Sequence, residues 1–369
     1  MKRKEFSIFR LIYNGIKRMI NKTILWFTAK FFALMITIFI SFFGRARMSH
    51  NNGIAAKGKL RIVDDPKFPD HDFFKAGREF EARIRHGSAA FLDDAMNCIR
   101  SISVKFADTP FESPMDLEMN TGPVSLFWSA VSFLKFAKMR KEKWGVEYVE
   151  YMRKYPEGYQ GAIEAVRRQA TSFHNLHYYA KTPYLFIGSD DIKRYAKYRV
   201  LPFEDIPESG IDGDPSYWDM SNQRVLPHTK HGRNYLKEEY EQKVKEGCVK
   251  YRLQIQTRIA ADDDPNSIFN NMIVWDEEIF PWHDVAVIEI EETLDWKAST
   301  RMAFSVNNMP KSLGIIPAES IFDYNSLNYM RAHSEMARKV RQFSYKVFGM
   351  VPPIPDNDNR NVDVGGWGQ

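Results

Sequence analysis

The sequence predicts an α+β fold in which an antiparallel sheet or barrel is wrapped by helices, and three observations lead there. Several short stretches alternate apolar and polar residues at the two-residue period of half-buried strands. Helical texture fills separate long blocks and does not alternate regularly with those strands, which argues against a doubly wound parallel sheet. The 369 residues are 44% hydrophobic and 14% aromatic, enough apolar surface for a sizeable core and too much for a disordered chain. With no fixed-period repeat and no long Gly/Ser linker, one main domain is expected. Cys98 and Cys248 have no Cys-x-x-Cys spacing, which excludes a disulfide framework and a cysteine zinc knuckle and suits a reducing compartment. The 52 Lys and Arg against 47 Asp and Glu leave only +5, too balanced for a dedicated nucleic-acid binder, so no nucleic-acid partner is expected.

The first element is a polarised segment. No carboxylate lies between Glu5 and Asp64, yet Arg10, Lys17, Arg18, Lys22, Lys30, Arg45, Arg47, Lys57, Lys59 and Arg61 all do. The uncharged run from Phe31 to Gly44 would reach only about 21 Å as a helix. A hydrocarbon layer of about 30 Å is reached from Ile24 to Gly44 if Lys30 snorkels to the headgroups. Residues 1–44 are therefore expected to be a membrane anchor, either in-plane or a short span, with the lipid bilayer as partner and the protein facing the cytoplasm. Basic flanks on both sides favour anionic lipid at one surface. A cleaved signal peptide is disfavoured because the run starts late and no small-x-small site follows. A buried core helix with a basic leader is the alternative.

Strands are predicted at Leu60–Val63, Phe80–Arg85, Ile102–Phe106, Val249–Gln256 and Val285–Ile290 from their alternation. Helices are predicted over Val124–Tyr155, Tyr159–Phe173 and Ser326–Phe348. Ile206–Pro215 carries two Pro, two Gly and two Asp and reads as a surface loop. Residues 45–350 form the expected domain, and residues 351–369, Pro-rich and then Asn/Asp- and Gly-rich, the expected mobile tail.

Walker, His-Glu-x-x-His, Gly-x-Ser-x-Gly and dinucleotide motifs are missing. The informative strings are Arg47-Met-Ser-His50-Asn-Asn-Gly53, Phe80-Glu-Ala-Arg-Ile-Arg85, Ile99-Arg100-Ser-Ile-Ser-Val-Lys-Phe106, Asn120-Thr121, Tyr178 to Tyr184, Lys250 to Gln256, and Phe304-Ser-Val-Asn-Asn-Met-Pro310. Taken in order, this series resembles the catalase-like haem proteins, including the short bacterial catalase-related proteins and, more distantly, the catalase-related allene oxide synthases. It covers roughly Arg45 to Tyr345. The resemblance implies a catalase-like antiparallel β-barrel core with surrounding helices, preceded by the membrane-associated helix, and haem b as an iron cofactor.

It also implies roles. His50 matches the distal imidazole that moves a proton between the two oxygens of a hydroperoxide, and Asn120 an amide that donates to the developing charge. Phe133 matches a ring stacked on the macrocycle, and Arg47 and Arg85 match arginines that pair with propionates. The family ligates iron with a tyrosinate one helical turn after an arginine. Two registers compete here. Arg341-Gln-Phe-Ser-Tyr345 resembles the catalase string and makes Tyr345 the ligand. Asn325 to Arg331 resembles the short bacterial proteins, and that register puts Glu335 at the ligand position. Both are expected on one helix, ten residues apart, so only one can face the haem. Ser49 stands where catalases usually carry valine, as a hydroxyl residue does in allene oxide synthases, and Arg85-His86-Gly87-Ser88 lacks the family's Arg-Phe-Ser serine. Asn120-Thr121 reads otherwise as a helix N-cap, and Arg85 and Tyr345 as surface residues. The expected function is a membrane-associated haem oxidoreductase of lipid hydroperoxides, of peroxidase or isomerase type, with a homo-oligomer possible. The alternatives are a weak catalase or peroxidase on hydrogen peroxide, and a haem-free binding protein on the same barrel.

Overall fold

The computed structural model describes residues 2–42, 52–88, 98–142, 156–211, 234–247 and 249–349, together with 47, 50, 94 and 232. The expected boundary at 44/45, Ser49, the end of the 206–215 loop, residues 143–155 of the first predicted helix and the tail 351–369 lie outside the described residues.

Helix α1 (Lys2–Phe42) comes first. Strands β1 (Gly53–Ile62), β2 (Glu79–Ser88), β3 (Cys98–Lys105) and β4 (Asp116–Thr121) follow. Next come α2 (Ala130–Glu142), α3 (Glu157–Ala165), the short β5 (Val166–Arg167), β6 (Tyr178–Ile187) and β7 (Lys193–Pro202). Then come α4 (Tyr235–Lys245), β8 (Lys250–Ile259), β9 (Trp282–Leu294), α5 (Trp296–Arg301), α6 (Ser326–His333) and α7 (Glu335–Phe348).

Among the described residues the sheet runs β2-β1-β9-β8-β7-β6-β4-β3, and a further β2–β3 pairing closes it into an antiparallel barrel of eight strands. Closure removes the exposed edges that an open sheet would leave. Alternate residues point inward. Ala56, Ile84 and Val104 stand opposite one another across β1, β2 and β3, Val104 faces Leu117 on β4, and all are buried in one core. Between β1 and β9 the backbones approach closely: a Cβ on Gly58 would lie 1.9 Å from the Glu289 carbonyl oxygen, and the register shifts beside it.

The same pairing builds a polar outer wall. Gly53–Gly87–Ser101–Asn120 form one cross-strand row, Ala55–Arg85–Ser103–Glu118 the next, and Lys57–Arg83–Lys105–Asp116 a third. Directly paired residues share a face, so these side chains all lie opposite the core face.

Three predicted helices are corrected. Tyr159–Phe173 ends as helix at Ala165, where β5 begins. Of Val124–Tyr155, α2 accounts for Ala130–Glu142. Ser326–Phe348 is two helices, broken at Ser334 (φ −77°, ψ 5°), whose hydroxyl donates to the Arg331 carbonyl. That bond caps the first helix locally.

Candidate functional site

The site lies where the segment before β1 meets α5 and α7. The last turn of a helix leaves carbonyls without intrahelical partners. At α5 three groups collect them: Arg47 donates to the Thr300 and Ser299 carbonyls at 3.3 and 3.4 Å and also to Met302, Arg341 donates to Met302 at 3.1 Å, and the Tyr345 hydroxyl to Thr300 at 3.4 Å. Arg341 and Tyr345 stand four residues apart, one above the other on the buried face of α7.

Arg85, in the outer row of β2, joins this group. It is buried and donates to the His50 carbonyl at 3.0 Å. His50 itself has φ 57°, in the left-handed region that non-glycine residues seldom adopt and that recurs at functional sites. Its Cβ rests against Gly87: a Cβ there would lie 3.3 Å from that of His50 and 3.1 Å from both the Arg85 guanidinium and the Ser101 hydroxyl. A side chain at this position would crowd all three neighbours, each of which would have to give by a few tenths of an ångström. Ser88 does not replace the family's serine, because its hydroxyl donates to Asp94 at 3.2 Å. The nearest hydroxyl on the wall is Ser101, one strand over, a residue the sequence reading passed by although the Arg100 to Phe106 string contains it.

Three guanidiniums, two of them buried and that of Arg47 half-buried, repel one another. Burial first, and then the charges of Arg85 and Arg341, hold Arg47 well below the ordinary guanidinium range. Burial and then Arg341 push Arg85 down to about 9, with the Tyr345 oxygen opposing. Burial also lowers Arg341, and again Tyr345 opposes. The Glu118 carboxylate opposes this at Arg47 and Arg341, and the carboxylates of a bound group would oppose it further. Beside the cluster, the Ser299 and Thr300 hydroxyls are buried without a hydrogen-bond partner. A phenol oxygen with an arginine one turn upstream and two further arginines is the donor set of a tyrosinate-ligated haem with two propionates, so the residues present fit that group.

The other predicted residues are placed as follows. Asn120 is in β4, not a helix cap, and lies in the Gly87 row, two strand spacings or about 10 Å along the wall from the glycine that seats His50. Ser49 lies outside the described residues. Phe133 packs its ring edge-on against Phe32 of α1 at 5.5 Å and Phe127 at 5.1 Å, among the helices. Arg331 bridges Glu118 at 3.0 Å and donates to Asn328. Glu335 accepts from Ser305 at 3.1 Å and pairs with Arg338. Burial pushes its carboxyl up, but Arg338 and Ser305 outweigh that and hold it below the usual range. Of the two registers, the structure brings Arg341 and Tyr345 to the Arg47–His50–Arg85 cluster and leaves Arg331 and Glu335 in other pairings. Glu335 and Tyr345 share α7, and ten residues at about 100° each put them on different faces, with Tyr345 beside Arg341 on the buried one; the Ser334 break separates only Arg331 from them.

No family model matches the chain. The chain is 35% identical over 360 residues, 96% of its length, to an allene oxide synthase-lipoxygenase protein of Plexaura homomalla, of which it covers 32%. It is 26% identical over 296 residues, 77% of its length, to a linolenate 9R-lipoxygenase of a Nostoc strain, of which it covers 37%. The chain thus spans about a third of the length of these curated relatives. Among solved structures, a bacterial catalase superposes with a TM-score of 0.62 at 15% identity, covering 85% of this chain and 60% of that one, a likeness of fold. Sequence likeness along nearly the whole chain to the allene oxide synthase-lipoxygenase protein, joined to the closed barrel and covering helices that it shares with catalases, supports a catalase-like superfamily for this chain.

Proposed function

We propose that the chain is a haem-dependent hydroperoxide-metabolising enzyme, of peroxidase or hydroperoxide-isomerase type, that is membrane-associated and acts on lipid hydroperoxides. The observation that carries this reading is the meeting of Arg47, His50 and Arg85 with Arg341 and Tyr345 at one buried place. The names of the two relatives, an allene oxide synthase-lipoxygenase protein and a linolenate 9R-lipoxygenase, support a fatty-acid-derived substrate.

In this reading the Tyr345 oxygen would hold the iron of haem b, with Arg341 one turn before it, and Arg47 and Arg85 would take the propionates. When bound, the haem supplies the redox chemistry that cleaves the oxygen–oxygen bond. His50 handles the proton: a neutral imidazole accepts it from one peroxide oxygen and returns it to the other, which is general acid–base catalysis. The Asn120 amide, facing the same side of the wall, donates to developing charge without a protonation step of its own.

The test is turnover by the full chain supplied with hemin. A fatty-acid hydroperoxide is expected to be consumed with kcat/KM at least about tenfold above that for hydrogen peroxide, and His50→Ala to lower it by about 10²–10⁴-fold. Faster use of hydrogen peroxide would make the protein a plain peroxidase or weak catalase. Failure to take up haem would leave the haem-free binding protein.

A further inference from the structure

Helix α1 has two faces of opposite fate. Leu25, Ala29 and Ala33 are buried at four-residue steps, with Ala29 in a cluster that includes Ala130 of α2 and Met330 of α6. Phe32 adds its edge-on contact with Phe133, and Arg18 and Lys22 pair with Glu319. At about 100° per residue, the opposite side carries Phe9, Ile16, Ile20, Phe27, Phe31 and Leu34, all exposed and spaced in steps of three, four or seven. This stripe holds no charge. Arg10 and Lys17 flank it on one side and Lys30 on the other.

A helix that crosses a bilayer is surrounded by lipid through the hydrocarbon. Here the middle of the apolar run, Leu25 to Ala33, is packed against the folded domain, so a span would draw α2 and α6 and the ion pairs around Glu319 into the membrane. A second copy of the chain is a poor cover for the stripe. Two such helices side by side would bring their flanking cations together, and α1 has no carboxylate beyond Glu5 to pair them. An anionic bilayer surface offers hydrocarbon to the stripe and negative headgroups to its flanks. Between α1 and Tyr329 a groove of about 640 Å³, lined by Arg18, Lys22 and Trp26, opens beside the same helix and sets two cations against the one Glu319 carboxylate.

We propose that α1 is a monotopic seat: it lies in the plane of an anionic phospholipid bilayer, outer stripe in the hydrocarbon and inner face on the domain, and does not cross. This deepens the membrane association proposed above and is independent of the haem, since no arm of its test uses activity.

The full-length protein is floated with vesicles of phosphatidylcholine alone or mixed with phosphatidylglycerol. Binding to the anionic vesicles is expected to be at least tenfold tighter and to weaken with salt. Phe27→Glu combined with Phe31→Glu, at exposed positions, should abolish it while the circular dichroism spectrum and melting temperature stay unchanged. Asn14→Cys, in a Cys248→Ser background, should react with a membrane-impermeant maleimide without detergent on vesicles whose domain is open to protease. Labelling only after detergent would overturn the proposal in favour of a span. Equal binding to neutral vesicles would overturn the anionic partner. A dimer in sedimentation equilibrium that the two Glu substitutions dissociate, with no vesicle binding, would assign the stripe to a second copy.

Discussion

Gly87 and Glu335 separate two ways in which single residues can serve the site. A side chain at Gly87 would press on His50, Arg85 and Ser101 at once, so Gly87→Ser, which restores the family's residue type, should cost about 1–3 kcal/mol of stability by overpacking and displace His50. The denaturant midpoint and the turnover of the variant check this; a variant as stable and active as the parent would contradict it. Glu335 carries a different expectation. Its folded carboxyl titrates below the unfolded value of 4.5, so it stabilises the fold above that pH, and the contribution is lost as pH falls through the lower folded value. Glu335→Gln should therefore flatten the loss of stability below about pH 4.5, read from denaturant midpoints across pH, and leave hemin uptake unchanged. Loss of hemin uptake would return Glu335 to the site.

At the scale of elements, a buried ion pair pins the loop after α5 to the barrel. Lys105 of β3 and Asp116 of β4 are both fully buried, 2.9 Å apart, and the Asp116 carboxylate also accepts from the Ser305 amide and the Asn308 side chain. Removing one partner strands the other charge, so Asp116→Asn should cost about 3–5 kcal/mol, measured by urea unfolding. A loss under about 1 kcal/mol would show the charges relaxing to solvent. The strands themselves were legible where alternation was clean, as in β1, β2, β3, β8 and β9. β4, β6 and β7 were less so: Pro183 interrupts β6 beside a register shift, and β7 is buried along nearly its whole length, which erases the two-residue period. The Ser334 break was invisible because serine is common inside helices and the amphipathic period continues across it.

For the whole molecule, barrel closure brings residues more than 250 positions apart into one cluster: Arg47 and Arg85 approach from the first strands, Arg341 and Tyr345 from the last helix. The order of motifs in the sequence pointed to both registers, and the sequence could not tell which face of α7 is buried; in the structure that face carries Arg341 and Tyr345. The contact of Phe133 with Phe32 of α1 is equally beyond the sequence, because it joins two helices about a hundred residues apart.

The central claim is that Tyr345, backed by Arg341, is the oxygen donor facing the His50 side of the site. The measurement that bears on it most directly is the absorption spectrum of the full-length protein titrated with hemin, beside Tyr345→Phe and Glu335→Gln. A stoichiometric Soret band that Tyr345→Phe shifts or abolishes and Glu335→Gln leaves in place is the expected result. A colourless protein, or a band indifferent to Tyr345, would contradict the account.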